Sequence, residues 1–93
     1  MSLNRINAYH VMWLFVFFDL PVLTKPQRKQ ATQFRKALEK DGFSMMQFSV
    51  YVRHCPSKEN MEVHIKRVRL ALPAAGQISI LAVTDKQYSE IRN

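Results

Sequence analysis

The chain predicts one α+β domain with the order β-α-β-β-α-β. Three observations carry that prediction. An unbroken apolar run, Val11 to Phe18, is rich in β-branched and aromatic residues, which favours a strand over a helix. Two segments with apolar residues at helical spacing follow, each opened by a capping residue and closed by Gly or Pro. Between and after them, period-two stretches return. The 93 residues suffice for a single domain, read here as 1–93, and not for two.

The first strand is apolar on both alternation sets: Met12, Leu14, Val16 and Phe18 on one, Val11, Trp13, Phe15 and Phe17 on the other. Such a strand wants cover on both faces and belongs in the middle of its sheet. Pro21 ends it, having no N–H for the ladder. Residues 1–10 read as an arm leading in. Thr24 and Gln27 have capping-box spacing, Pro26 sits in the first turn, and a helix is predicted from about Lys25 to Lys40. Ala31, Phe34 and Leu38 form its buried stripe, and Arg28, Lys29, Arg35 and Lys36 its other face. Gly42 takes the left-handed cap.

Residues 43–54 predict two strand segments, near 43–46 and 48–54, with Met46, Phe48, Val50 and Val52 inward. Gln47, Ser49, Tyr51 and Arg53 then form the outward set, with Gln47 and Tyr51 available to a partner copy or a nucleic acid. Ser57 caps a second helix, about Lys58 to Leu72, with the stripe Met61, Ile65, Val68 and Leu72. His64 falls at the margin of that stripe. Ile78, Ile80 and Ala82 alternate with Ser79, Leu81 and Val83 in a last strand, and 85–93 reads as a tail. Right-handed crossovers assemble these elements into a ferredoxin-like unit: a four-stranded antiparallel sheet with both helices on one face.

Composition narrows the function. Net charge is +7, from 14 Lys and Arg against 7 Asp and Glu, with a pI near 10. That balance points to a polyanion as partner, nucleic acid before anionic membrane, with solubility as the plainer reading. The single cysteine, Cys55, excludes an internal disulfide and fits a reducing, cytoplasmic setting. An apolar run of eight residues falls well short of the roughly 20 that span a bilayer. Only two glycines occur and none builds a phosphate loop, and His54 with Cys55 lacks the further ligands zinc needs.

Asp19 is the candidate that remains. It is the only carboxylate in the first 38 residues and stands where the apolar strand surfaces. Mg²⁺ takes one or two protein carboxylates plus waters, and no other acid shares a motif with Asp19. A two-fold dimer supplies the second carboxylate by symmetry. At about 4 Å two such charges repel by roughly 4 kcal/mol at an effective dielectric of 20, which a divalent cation or a shared proton relieves. The alternative is a turn-forming aspartate before Pro21.

The run Phe17-Phe18-Asp19-Leu20-Pro21, a basic helix closing at Asp41-Gly42-Phe43, and Gln47-Phe48-Ser49-Val50-Tyr51 together resemble the small CRISPR-associated Cas2 family. Cys55-Pro56-Ser57-Lys58-Glu59-Asn60, His64-Ile65-Lys66-Arg67 and Thr84-Asp85-Lys86-Gln87-Tyr88 resemble its type II branch. The resemblance spans about residues 11–91. It implies a homodimer whose strand-end aspartates meet and bind Mg²⁺, with Asp19 as catalytic residue and metal ligand. It implies metal-dependent cleavage of RNA or DNA, and a scaffold role in spacer acquisition beside the Cas1 integrase on double-stranded DNA. Arg28, Lys29, Arg53, Lys66 and Arg67 are the candidate nucleic-acid contacts. Phe18 stands where many relatives have Tyr, and Arg53 where many have an acid, which makes the expected site more cationic.

Overall fold

A computed structural model describes residues 12–92, so the predicted arm 1–10 and Val11 lie outside the described residues. The elements are β1 (Met12–Asp19), α1 (Lys25–Lys40), β2 (Ser44–Gln47), β3 (Val50–Cys55), α2 (Lys58–Ala71), β4 (Gln77–Thr84) and α3 (Asp85–Ser89). The sheet order is β2-β3-β1-β4 and every pairing is antiparallel. The ferredoxin-like prediction holds, with β1 central as its two apolar faces required.

Local chemistry sets the helix ends. The Thr24 hydroxyl accepts from the Gln27 N–H while the Gln27 side chain accepts from the Thr24 N–H, the reciprocal capping box. Ser57 caps α2 by accepting from the Asn60 N–H. Ala31, Phe34 and Leu38 of α1 and Met61 and Val68 of α2 pack on Leu14, Val16 and Phe18 of β1. The Phe18 and Phe34 rings meet edge to face at 5.1 Å. Burying side chains of this size stabilises by about 1.5–3 kcal/mol each, which is why the even-numbered set of β1 fixes the helix-covered side.

Expectations for the hairpin and for the tail are corrected. The hairpin's inward and outward sets are exchanged. Tyr51 lies in the core, 2 % exposed, whereas Phe48 is 76 % exposed at the turn. The register puts Val50 opposite Phe17 and Val52 opposite Phe15, both on the odd-numbered side of β1. Both hairpin sets contain apolar residues, so alternation did not say which faces the helices. An irregularity between Met45 and Gln47, followed by the turn at Phe48-Ser49, resets the phase. The predicted break after 46 falls instead between Gln47 and Val50.

The predicted tail is the second correction, since it contains α3. Thr84 and Gln87 form a second capping box. Tyr88 then stacks on Trp13 at 3.7 Å, and the Trp13 indole N–H donates to Asp85 Oδ1 at 2.8 Å. This short helix lies on the sheet face opposite α1 and α2 and covers only its Trp13 end. Beyond it Phe17 and Leu81 remain 38 % and 50 % exposed, an apolar stretch on the same face.

Candidate functional site

Asp19 is the last residue of β1 and is exposed. Its odd number puts it on the open face, with Phe17, and the register pairs it with Gln77 of β4. It lines a shallow depression of about 370 Å³ with Phe17, Phe18, Ser49, Val50, Gln77, Ile78 and Ser79. The Phe18 N–H donates to the Ser49 carbonyl at 3.1 Å, tying the hairpin turn to the end of β1. Ser49 adopts φ 67°, the left-handed region uncommon for a residue with a Cβ. The strained turn and the acid are thus fastened to one junction.

Among the described residues Asp19 makes no ion pair, and no group of three or more His, Cys, Asp and Glu side chains is placed to hold a metal. One carboxylate with the neutral oxygens of Ser49, Ser79 and Gln77 nearby suits a strongly hydrated Mg²⁺, which keeps several waters. The apolar stretch beside Asp19 lies on the same face, so a copy covering that stretch would approach the same rim.

The five basic candidates are not equivalent. The Arg28 guanidinium donates to the Val22 and Leu23 carbonyls at 3.3 and 3.1 Å and holds the β1–α1 loop. Lys29 lines a groove along α1 with Lys25, Arg28, Thr32, Gln33 and Lys36. Lys66 is exposed on α2 and, like Lys29, makes no ion pair among the described residues. Arg53 pairs with Leu14, on the helix-covered side and toward the opposite end of β1 from Asp19. The structure therefore does not bring Arg53 to the Asp19 rim.

Arg53 and Arg67 converge on Asp41 instead. Arg53 Nη1 donates to the Asp41 carbonyl at 2.7 Å, and Arg67 Nη1 to Asp41 Oδ1 at 2.8 Å. The other carboxylate oxygen accepts from His64 Nδ1 at 2.7 Å. Burial alone would raise the Asp41 pKa, but the hydrogen bonds and charges of His64 and Arg67 outweigh it and hold the group below its ordinary 3.8. Sequence reasoning missed this cluster. Asp41 read as a helix end and His64 as a marginal residue, and nothing in local pattern joins positions 23 and 26 residues apart. Cys55 is buried in the core, where desolvation pushes its thiol pKa up, opposite to what a nucleophile needs.

Fold and rim together define a class: a small ferredoxin-like domain that carries one exposed carboxylate, without an ion pair among the described residues, at the end of its central strand. Comparison with known proteins makes this particular. The family model described as "CRISPR associated protein Cas2" matches residues 12–91, and the chain belongs to that family. It is 55 % identical over 85 residues to "CRISPR-associated endoribonuclease Cas2" of Flavobacterium psychrophilum, covering 91 % of this chain and 74 % of that protein. Proteins of the same name from Parvibaculum lavamentivorans and Paracidovorax avenae are each 51 % identical, over 87 % and 89 % of this chain and 80 % and 77 % of theirs.

Proposed function

We propose that this chain is a Mg²⁺-dependent endonuclease of RNA or DNA that acts as a homodimer in CRISPR adaptation. One observation carries the reading: among the described residues Asp19 is the only acid lining the depression beside the half-exposed apolar face, without an ion pair and beside neutral oxygen donors. When a copy of the chain covers that face, two Asp19 carboxylates share the rim and repel unless a cation lies between them. Asp19 of each copy would hold Mg²⁺, with Ser49, Ser79 and Gln77 orienting its waters. Bound there, the ion supplies charge neutralisation at a phosphodiester and a more acidic water. Lys25, Lys29 and Lys36 on α1 give the phosphate backbone a sequence-independent hold. The relatives' name, an endoribonuclease, favours RNA as the strand cut. The Cys55–Asn60 and Thr84–Tyr88 runs favour the type II branch.

The α1 groove also favours a second reading, a non-catalytic scaffold that holds double-stranded DNA for the Cas1 integrase. Labelled RNA and DNA, incubated with wild type and Asp19→Ala in Mg²⁺ or EDTA, separate the two. The nuclease reading expects cleavage in wild type with Mg²⁺ alone, and none in Asp19→Ala. If wild type does not cut, Asp19→Ala still binds duplex, and Lys29→Glu with Lys66→Glu abolishes that binding, the scaffold reading replaces it.

A further inference from the structure

We infer that Phe48 and Arg35 form a stacking platform for an unpaired nucleobase of the strand handled at the Asp19 rim, a proposal that rests on the nucleic-acid reading above. Phe48 sits at the β2–β3 turn and is 76 % exposed. The backbone beside it is tied down. Ser49 holds the turn at φ 67°, and its carbonyl is fastened to the Phe18 N–H at 3.1 Å.

The Arg35 guanidinium lies 4.6 Å from the centre of the Phe48 ring and 5.9 Å from that of Phe18. A cation over one face draws electron density from the ring and favours an electron-rich partner on the other. Arg35 has no carboxylate partner among the described residues, and its Nε is buried without a hydrogen bond. An apolar protein partner laid on Phe48 would bury that unpaired charge at a cost. A nucleotide satisfies both groups, its base on the ring and its phosphate near the guanidinium.

The platform and the acid share one end of the sheet, the platform on the helix-covered side with Phe18 and the acid on the open side. Phe48 adjoins Ser49, Phe18 adjoins Asp19, and the Phe18–Ser49 hydrogen bond joins the pairs. Two Cα steps of about 3.8 Å and a cross-strand pair of about 5.5 Å put the Phe48 and Asp19 Cα atoms within roughly 13 Å. A base stacked at Phe48 would anchor an unpaired strand that passes around this sheet end, and so fix which of its phosphates reaches the rim. Phe48 is on this view a positioning residue that selects single-stranded or frayed nucleic acid.

The test uses the full chain in EDTA, so that no strand is cut. Its probes are a labelled oligoadenylate RNA, its DNA counterpart, and an abasic strand of equal length. Phe48→Ala should weaken both base-bearing strands about tenfold and leave the abasic strand unchanged. Phe48→Trp should restore binding, with its indole fluorescence quenched by the base-bearing strands only. Phe48→Leu, apolar but without a π face, should behave as Phe48→Ala and serves if the alanine variant does not fold. Equal loss on the abasic strand, or no loss at all, overturns the platform. So does a change of oligomeric state in Phe48→Ala by sedimentation, which would make the ring a contact between copies. Because binding is read without metal, Phe48-dependent binding by a chain that never cuts overturns only the nuclease reading. Cleavage with Phe48-independent binding overturns only the platform.

Discussion

Asp19 ends β1 and Asp41 ends α1, yet their surroundings share almost nothing. Asp41 is 16 % exposed at its side chain and takes His64 and Arg67 on its two carboxylate oxygens, while its carbonyl takes Arg53. It joins the end of α1 to α2 and β3. Asp19 is exposed and makes no ion pair among the described residues. A carboxylate with both oxygens engaged and most of its surface covered is a strut, with little capacity left for a substrate or an ion. A carboxylate left open at a rigid strand end contributes little to stability and keeps its chemistry for something that binds. The difference also separates the cations: Arg53 and Arg67 already have a partner within the fold.

The sharpest way to break this contrast is to remove each acid. Asp41→Ala strips the partner from a histidine that is 4 % exposed, and should cost about 2–3 kcal/mol. In a domain of this size that lowers Tm by roughly 10 °C or more. Asp19→Ala should stay within about 0.5 kcal/mol of wild type. Thermal melts of the two variants decide it, and equal losses would mean that Asp19 is structural too. The Asp41 contribution also has a pH signature. Because its pKa is lowered in the fold, it stabilises the protein above the unfolded value near 3.8, and that stabilisation disappears as pH falls through the lower folded value. The gap between wild type and Asp41→Asn should therefore close as pH falls from above 3.8 through the lower folded value.

A smaller effect tests whether the strut depends on the backbone around it. Gly42 follows Asp41 at φ 88°, and a Cβ built there would stand 1.8 Å from Arg53 Nη1. Gly42→Ala should lose about 1–2 kcal/mol from the left-handed backbone, with Arg53 displaced from the Asp41 carbonyl. Retained stability on denaturant unfolding would show that Arg53 has another seat. The charge of Arg53 was legible in the sequence, but the face it takes was not. Val50 and Val52 alternate with Tyr51 and Arg53, and a sheet with apolar residues on both sides accepts either phase. α1, by contrast, was readable to its ends, because Thr24, Gln27, Pro26 and the Ala31–Phe34–Leu38 stripe all specify the same helix. Asp19 was readable because a charge at the end of an apolar strand stands out locally. The Asp41 cluster was not, since its members meet only through tertiary packing. α3 was missed although Thr84 and Gln87 are spaced as a capping box, since five residues leave no period to detect.

The smallest expected effect concerns Arg67, whose guanidinium side is 60 % exposed while its partner carboxylate is nearly covered. Solvent screens such a pair, so Arg67→Ala should lose less than about 1 kcal/mol, well under the loss from Asp41→Ala. That small loss makes Arg67 useful, because a folded variant can then be asked about nucleic acid. If the guanidinium belongs to Asp41 alone, the salt dependence of duplex binding will not change in Arg67→Ala. If it reaches past Asp41 to a phosphate, the slope of log K against log salt will fall by about one counterion. Lys66, one residue earlier on α2 and without an ion pair among the described residues, supplies the control. A slope that drops for Lys66→Ala and not for Arg67→Ala would confine the binding surface to cations the fold leaves unengaged, as the contrast between the two aspartates requires.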